Sequence, residues 1–174
     1  MLIALRLSSS ELDIDGVLNY TQWYVSDRNP GNLNGQEGDI DPLCVERVLR
    51  IVNETGAKVV ISSDWRISWE GTLMRLERMG LPRDVVIDKT PELIWTKIGR
   101  HNYMLMDDSD EYEYSRGREV DMWLEEHPEC TNFVILDDRM DFTEDQQPHL
   151  VHVNSMYGLS DDDVNIAIMT LNHH

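Results

Sequence analysis

Two carboxylates one residue apart are the first side chains along this sequence that could do chemistry. Asp13 and Asp15 lie in LDIDGVLNY, residues 12–20, with Gly16 and two apolar residues directly after them. At the end of a strand, side chains two residues apart start on the same side. Like charges that close repel unless a cation lies between them. The segment therefore indicates a metal site, a catalytic pair or an acidic turn.

Two more polar clusters follow apolar segments. Ser62 and Ser63 come directly after VVI, and Asp137 and Asp138 come directly after FVIL. If these segments are parallel strands, their carboxyl ends meet at one edge of the sheet, where α/β proteins place their chemistry. Several carboxylates at one edge favour a hard cation such as Mg²⁺, which takes oxygen ligands.

The elements that must position these residues alternate between apolar segments and amphipathic segments. Strands are predicted at residues 2–7, 11–14, 58–62, 85–87, 132–136 and 150–153. Helices are predicted after Asp41-Pro42, from Ser68, over 119–126 and after Ser160. This alternation predicts an α/β fold with a doubly wound, mostly parallel sheet that helices cover on both faces.

The chain has 174 residues, which predicts a single domain over 1–174 with its own core. Residues 19–41 are polar and hold three glycines, so we interpret them as a long loop or flap. Residues 92–115 have no clear periodicity and are interpreted as a variable insertion. A Trp23-Tyr24 pair in the flap either stacks on a base or packs in the core or at its rim.

Composition excludes some classes of protein. Hydrophobic residues make up 41% and charged residues 28%, as in globular rather than disordered chains. The formal net charge of -18 disfavours non-specific binding to nucleic acid or anionic membranes. Two cysteines make no disulfide scaffold, and the sequence has no long apolar run or signal-peptide pattern. We therefore expect a cytoplasmic protein without a membrane partner.

Four motifs in order resemble those of the haloacid dehalogenase (HAD) superfamily of phosphatases. DIDGV, residues 13–17, resembles the first motif, and VVIS with Ser62 the second. Arg116 or Arg118 resembles the basic third motif, and LDDR, residues 136–139, the acidic fourth. DGVLN, SSDWR and RGREVDMWL are most similar to stand-alone phage-type phosphatases and the phosphatase domain of RNA-repair fusion proteins. LDDR is also similar to its counterpart in polynucleotide 3′-phosphatases and 5′(3′)-deoxyribonucleotidases.

The resemblance implies a role for each matching residue. Asp13 is the expected nucleophile that forms an aspartyl-phosphate. Asp15 is the expected general acid and then base. Ser62 and the amide of Ser63 are expected to donate to the phosphoryl group. Arg116 is expected to neutralise charge in the transition state, and it is preferred over its rival because it directly precedes a glycine before the helix.

The resemblance also implies Mg²⁺ as the cofactor. Asp13, Asp138 and the main-chain carbonyl of Asp15 are the expected ligands, with Asp137 acting through a water. Gly16 is expected to help bind phosphate. Arg66 either reaches the phosphate or pairs with a nearby carboxylate.

The implied activity is a Mg²⁺-dependent phosphomonoesterase with a Rossmann-like fold. The two usual insertion points leave little chain for a lid, so a small or minimal cap and an open site are expected. A nucleotide-like phosphate is the expected substrate, and a nucleic-acid 3′-phosphate in repair is the alternative. A non-catalytic phosphate-binding protein of the same fold is a further alternative, although intact Asp13 and Asp15 argue against it. No obligate protein partner is indicated.

A phospho-receiver domain is a rival from another class, because it also pairs acidic residues with Mg²⁺ on a doubly wound sheet. That class needs a phosphoacceptor Asp at the end of a middle strand and a Lys after the last strand. This chain has Ser62 and Asn154 at those places. The sequence therefore disfavours the receiver interpretation.

Overall fold

The computed structural model describes residues 2–4, 9–31, 38–93 and 116–172. The strands are β1 (Leu2–Ala4), β2 (Ser9–Leu12), β3 (Lys58–Ile61), β4 (Val86–Lys89), β5 (Val134–Asp137) and β6 (Leu150–His152). The α-helices are α1 (Thr21–Tyr24), α2 (Pro42–Thr55), α3 (Trp69–Arg78), α4 (Arg116–Glu126) and α5 (Asp161–Asn172). Short 3₁₀ helices span Asp64–Ser68, Arg83–Val85 and Gln147–His149.

The parallel strands lie in the order β4-β3-β2-β5-β6, and β1 pairs antiparallel with β3. Leu12 of β2 is in register with Ile61 of β3 and with Leu136 of β5. The residues that directly follow these three positions therefore emerge at the same edge of the sheet. This register brings the three polar clusters of the sequence together, as predicted.

The central strand β2 is the least apolar of the parallel strands by sequence. It comprises SSEL, residues 9–12, and pairs with β3 on one side and β5 on the other. The strand expected over 11–14 therefore begins two residues earlier and ends before Asp13. Its main-chain pairing, rather than an apolar pattern, defines this strand.

Different helices pack on neighbouring residues of the strands. Ile61 of β3 belongs to the main apolar core, to which α2 and α5 also contribute buried side chains. The neighbouring residue Val60 packs instead with Trp123 of α4, and Ile135 of β5 packs with Val120 of α4. Because side chains alternate along a strand, these two sets of residues contact different helices.

Local sequence signals explain the ends of the helices. The Asp41 carboxylate accepts a hydrogen bond of 3.0 Å from the amide of Leu43, and α2 begins one residue after Asp41. That helix ends at Gly56, whose φ of 73° is in the left-handed region. The Ser160 hydroxyl accepts a hydrogen bond of 3.2 Å from the amide of Asp163 at the start of α5. These boundaries agree with the sequence predictions.

Two predictions of local structure need correction. The segment interpreted as a loop over 19–41 contains the helical turn α1, and Trp23 of this turn is in the apolar core. Helix α4 begins at Arg116 rather than at Glu119. Most of the predicted insertion, residues 94–115, lies outside the described residues.

Among the described helices, none combines the length and apolar character needed to cross a membrane.

Candidate active site

Three carboxylates cluster at the edge where β2 and β5 end. Asp13, Asp137 and Asp138 each offer an oxygen, and these oxygens all lie within 4.8 Å of one another. Asp13 is 4% exposed and Asp137 is fully buried. Hard oxygen donors at this spacing fit a divalent cation such as Mg²⁺, since a bound cation would offset the repulsion between the carboxylates.

The electrostatics of the cluster reflect that repulsion. Burial, with a further contribution from the charge of Asp13, raises the pKa of Asp137 to about 6. Burial and then the charge of Asp13 also raise the pKa of Asp138 above its ordinary value. The donor set thus favours a positive charge at this place.

Gly16 allows the turn after β2 to approach the cluster. Its φ is 78°, a conformation that residues with a side chain rarely adopt. A Cβ at this position would lie 2.4 Å from Cγ of Asp138. Both the backbone conformation and the close approach therefore require glycine here.

Asp15 is held by two hydrogen bonds at the exposed side of the cluster. Its carboxylate accepts one of 2.7 Å from Nδ2 of Asn19 and one of 3.2 Å from Nε1 of Trp65. Burial raises the pKa of Asp15 and the hydrogen bond from Asn19 opposes this, while the charge of Asp13 raises it again. The net rise favours the protonated form that a general acid needs.

Arg116 faces the carboxylates from the first turn of α4. Its Nη1 lies 3.3 Å from Oε2 of Glu119, and its Nη2 lies 3.2 Å from Oδ1 of Asp64. Burial alone would lower the pKa of Arg116, but the charges of Asp13, Glu119 and Asp64 raise it above its ordinary value. The guanidinium is therefore a fixed positive charge beside Asp13.

The start of α4 is docked on the loop after β5. The amide of Gly117 donates a hydrogen bond of 3.1 Å to the carbonyl of Asp141. A Cβ on Gly117 would meet Oε1 of Gln146 at 2.8 Å and the main chain of Phe142 at 3.1 Å. A glycine directly after Arg116 thus lets this helix end lie close enough to bring the guanidinium to the cluster.

An open cavity of about 360 Å³ lies over these groups. It is large enough for a small ligand, since such pockets are typically about 300–1,000 Å³. Its lining residues come from the ends of β2 and β5, the turn α1 and the residue before it, the loops after β3 and β6, and the start of α4. They are Asp13, Asp15, Gly16, Tyr20, Thr21, Tyr24, Asp64, Arg116, Asp138, Arg139 and Ser155.

Comparison with known proteins identifies a family for this arrangement. The family model described as the HAD domain in Swiss Army Knife RNA repair proteins matches residues 12–164. The chain belongs to this family. No curated protein and no solved structure matches the chain. Membership confirms the resemblance to the RNA-repair-associated HAD subgroup, and it supports an α/β fold and a HAD phosphatase.

Not every predicted site residue of the HAD domain lines the cavity. Ser62 and Ser63 are both fully buried and do not line it. The hydroxyl of Ser62 accepts a hydrogen bond of 2.8 Å from that of Thr90, and the hydroxyl of Ser63 caps the following 3₁₀ helix. The roles of both serines in binding phosphate stay predictions.

Three other candidate site residues, Arg66, Arg118 and Trp23, do not line the cavity. Arg66 is 2% exposed and pairs with Glu119 at 2.7 Å, away from the cavity lining. Arg118 points along α4 to Glu125 at 3.1 Å and does not line the cavity either. Trp23 is 1% exposed, so it packs in the core and offers no stacking surface.

Sequence reasoning did not identify the contacts that several residues make at the site. Asn19 and Trp65 bind Asp15, and Asp64 and Glu119 bind Arg116. Asn19 follows Asp15 by four residues in a tight turn, a local signal that could have been used. The partners of Arg116 include a residue 52 positions away, which no local pattern reveals.

Proposed function

We propose that this protein is a Mg²⁺-dependent phosphomonoesterase that forms an aspartyl-phosphate on Asp13. The observation that carries the proposal is the cluster of Asp13, Asp137 and Asp138 within 4.8 Å, beside a cavity that Arg116 also lines. Membership of the HAD family supports the same reaction class.

The first half of the reaction forms the covalent intermediate. A carboxylate oxygen of Asp13 attacks phosphorus, and the bond from phosphorus to the leaving oxygen breaks. Asp15 gives its proton to that leaving oxygen, and its raised pKa supports this role. Arg116 offsets charge on the transferring phosphoryl oxygens.

The second half releases phosphate. Asp15 takes a proton from a water whose oxygen attacks phosphorus, and the bond from phosphorus to Asp13 breaks. Asp13, Asp138 and the carbonyl of Asp15 would hold Mg²⁺, with Asp137 acting through a water. When bound, the ion would screen the nucleophile from the anionic substrate. Ser62, the amide of Ser63, and the turn at Gly16 complete the proposed phosphate site.

A nucleotide-like phosphomonoester is the proposed substrate. The cavity is open and of suitable size, and Tyr24 in its wall is about half exposed, so its ring can meet a base. The cavity lining contains two positive side chains, Arg116 and Arg139, and more carboxylates than that. The side chain of Arg139 is 57% exposed. This balance favours a small substrate over a long polyanion.

A polynucleotide 3′-phosphate is the second candidate. The description of the family names RNA repair proteins, and an open cavity would admit a chain end. The third candidate is a binding protein without turnover. It agrees least with the structure around Asp15, because two donors hold the Asp15 carboxylate at the cluster.

The proposal includes the remaining architecture. It comprises a single domain over residues 1–174, a doubly wound sheet with a small or minimal cap, and a cytoplasmic location. Helix packing against alternate residues of β3 and β5 supports the doubly wound sheet.

The test is a Mg²⁺-dependent screen of mononucleotides, sugar phosphates and a 3′-phosphorylated oligonucleotide, with kcat/KM compared at two salt concentrations. We expect a mononucleotide to be preferred with weak salt dependence. A preferred oligonucleotide with steep salt dependence would establish the second candidate. No Mg²⁺-dependent release from any substrate, including a generic aryl phosphate, would leave the binding interpretation.

A further inference from the structure

A buried chain of charges lies behind Arg116. Nη2 of Arg66 donates a hydrogen bond of 2.7 Å to Oε1 of Glu119, and Nη1 of Arg116 donates one of 3.3 Å to Oε2 of the same carboxylate. Arg66 is 2% exposed and Glu119 is 3% exposed. One buried carboxylate therefore joins a core arginine to the arginine that lines the cavity.

Stability alone explains this arrangement poorly. Removing charges from water is costly, and a buried ion pair often contributes no more than apolar residues of the same size. Arg66 also has two buried donors, Nε and Nη1, for which no hydrogen-bond partner lies among the described residues. Such donors lower the free energy of unfolding further. A functional role for the chain of charges is the better explanation.

We propose that Glu119 is a positioning residue for Arg116, anchored in turn by Arg66. This inference rests on the proposed phosphatase function, in which Arg116 meets the phosphoryl group. Oε1 of Glu119 accepts from both Arg66 and the amide of Leu93, the latter at 3.1 Å. These two bonds fix the rotation of the carboxylate, so that Oε2 is directed at Arg116.

The two partners of Arg116 then have different roles. Glu119 is buried and holds Nη1, whereas Asp64 is 55% exposed and lies 3.2 Å from Nη2. An exposed partner is exchanged at little cost, because water solvates it when it is released. Phosphoryl oxygens therefore replace Asp64 at Nη2 while Glu119 keeps its hold on Nη1.

The same helix supplies a matched control. Arg118 and Glu125 form an arginine-glutamate pair at 3.1 Å, with side chains 31% and 66% exposed. Glu125→Gln thus removes one acidic charge from α4 without touching the chain of buried charges. We expect it to leave turnover unchanged.

The activity test uses chemical rescue. Free guanidinium ion should restore turnover to Arg116→Ala, because the ion can bind where Glu119 held the lost side chain. Rescue should be lost in Arg116→Ala/Glu119→Gln and kept in Arg116→Ala/Glu125→Gln. Glu119→Gln alone should lower kcat roughly a hundredfold with little change in KM, the cost of displacing a reacting group by about 1 Å. Equal rescue in both double variants would overturn the proposal.

Glu119→Gln leaves Arg66 as an unpaired buried charge and can impair folding. In that case Arg66→Met/Glu119→Gln replaces the buried pair without leaving a lone charge. In the Arg116→Ala background it should also abolish rescue, and rescue by guanidinium there would equally refute the role of Glu119.

A second readout is independent of turnover and separates this inference from the proposed function. Side-chain nitrogen NMR should show hindered rotation of the Arg116 guanidinium, with the signal assigned by its absence in Arg116→Ala. Glu119→Gln should release that rotation and Glu125→Gln should not. If the wild-type protein shows hindered rotation but no phosphatase activity, the proposed function is wrong and the positioning role of Glu119 is still supported. Free rotation in the wild-type protein would contradict the positioning role itself.

Discussion

Replacing Gly16 with alanine tests whether the turn after β2 controls the metal-binding cluster. Gly16 has a φ of 78° and Gly56 one of 73°, so alanine at either place pays a similar backbone strain of about 1–2 kcal/mol. Around Gly56 no atom of the described part of the chain lies within 4 Å of the new Cβ, whereas at Gly16 the Cβ would be 2.4 Å from Cγ of Asp138. Gly56→Ala is therefore a control for strain without a clash.

The size of the effect follows from the contact distance. Ordinary contact begins near 3.4 Å, so Asp138 must move by roughly 1 Å, a displacement that can cost about a hundredfold in rate. Without Mg²⁺, Gly56→Ala should lose about 1–2 kcal/mol of unfolding free energy, and Gly16→Ala should lose at least as much. Saturating Mg²⁺, at about 100 times its Kd, should then add about 2.7 kcal/mol to the wild-type protein and to Gly56→Ala but much less to Gly16→Ala.

Chemical unfolding with and without Mg²⁺, together with release of phosphate from an aryl phosphate, measures both effects. The reasoning is refuted if Gly16→Ala keeps the turnover and the Mg²⁺-dependent stabilisation of Gly56→Ala.

Three further predictions concern single residues. Asp13→Asn should abolish phosphate release without lowering the unfolding midpoint, since it removes one of three repelling carboxylates; substantial turnover would exclude the covalent mechanism. Arg116→Ala should lower kcat by orders of magnitude and Arg118→Ala should be mild; steady-state kinetics that give the reverse order would move the third motif to Arg118. Tyr24→Ala should raise KM for a mononucleotide about tenfold, because stacking contributes about 1–3 kcal/mol per base. KM for a sugar phosphate should not change, and equal effects on both substrates would contradict the stacking role of Tyr24.

The elements with strong local signals could be predicted from the sequence. Asp41 and Pro42 define the start of α2, and Gly56 defines its end. The apolar segments that became β3 and β5 predicted where Ser62 and Asp137 lie. Because parallel strands end at a common edge, the sequence predicted these carboxylates at one edge of the sheet, and the pairing of β2 with β5 makes them neighbours there.

The remaining features depend on contacts between distant segments. The first turn of α4 has no apolar periodicity, and its position is defined by Gly117 against the loop after β5. Strand β2 is polar, and its pairing with two neighbours outweighs its sequence preference. Glu119 would be placed on an exposed helix face by its residue type. Only the fold brings Arg66, from 53 positions away, to Glu119, and this pairing explains why Glu119 is buried.

Detection of phosphate bound covalently to Asp13 is the most direct test of the central claim. The protein is mixed with an isotopically labelled phosphomonoester and quenched in acid, and the label is located by peptide mass spectrometry. The proposed mechanism predicts label on the peptide that contains Asp13, only with Mg²⁺ present, and none in Asp13→Asn. Rapid Mg²⁺-dependent release of phosphate with no label on that peptide during turnover, and with undiminished release in Asp13→Asn, would contradict it.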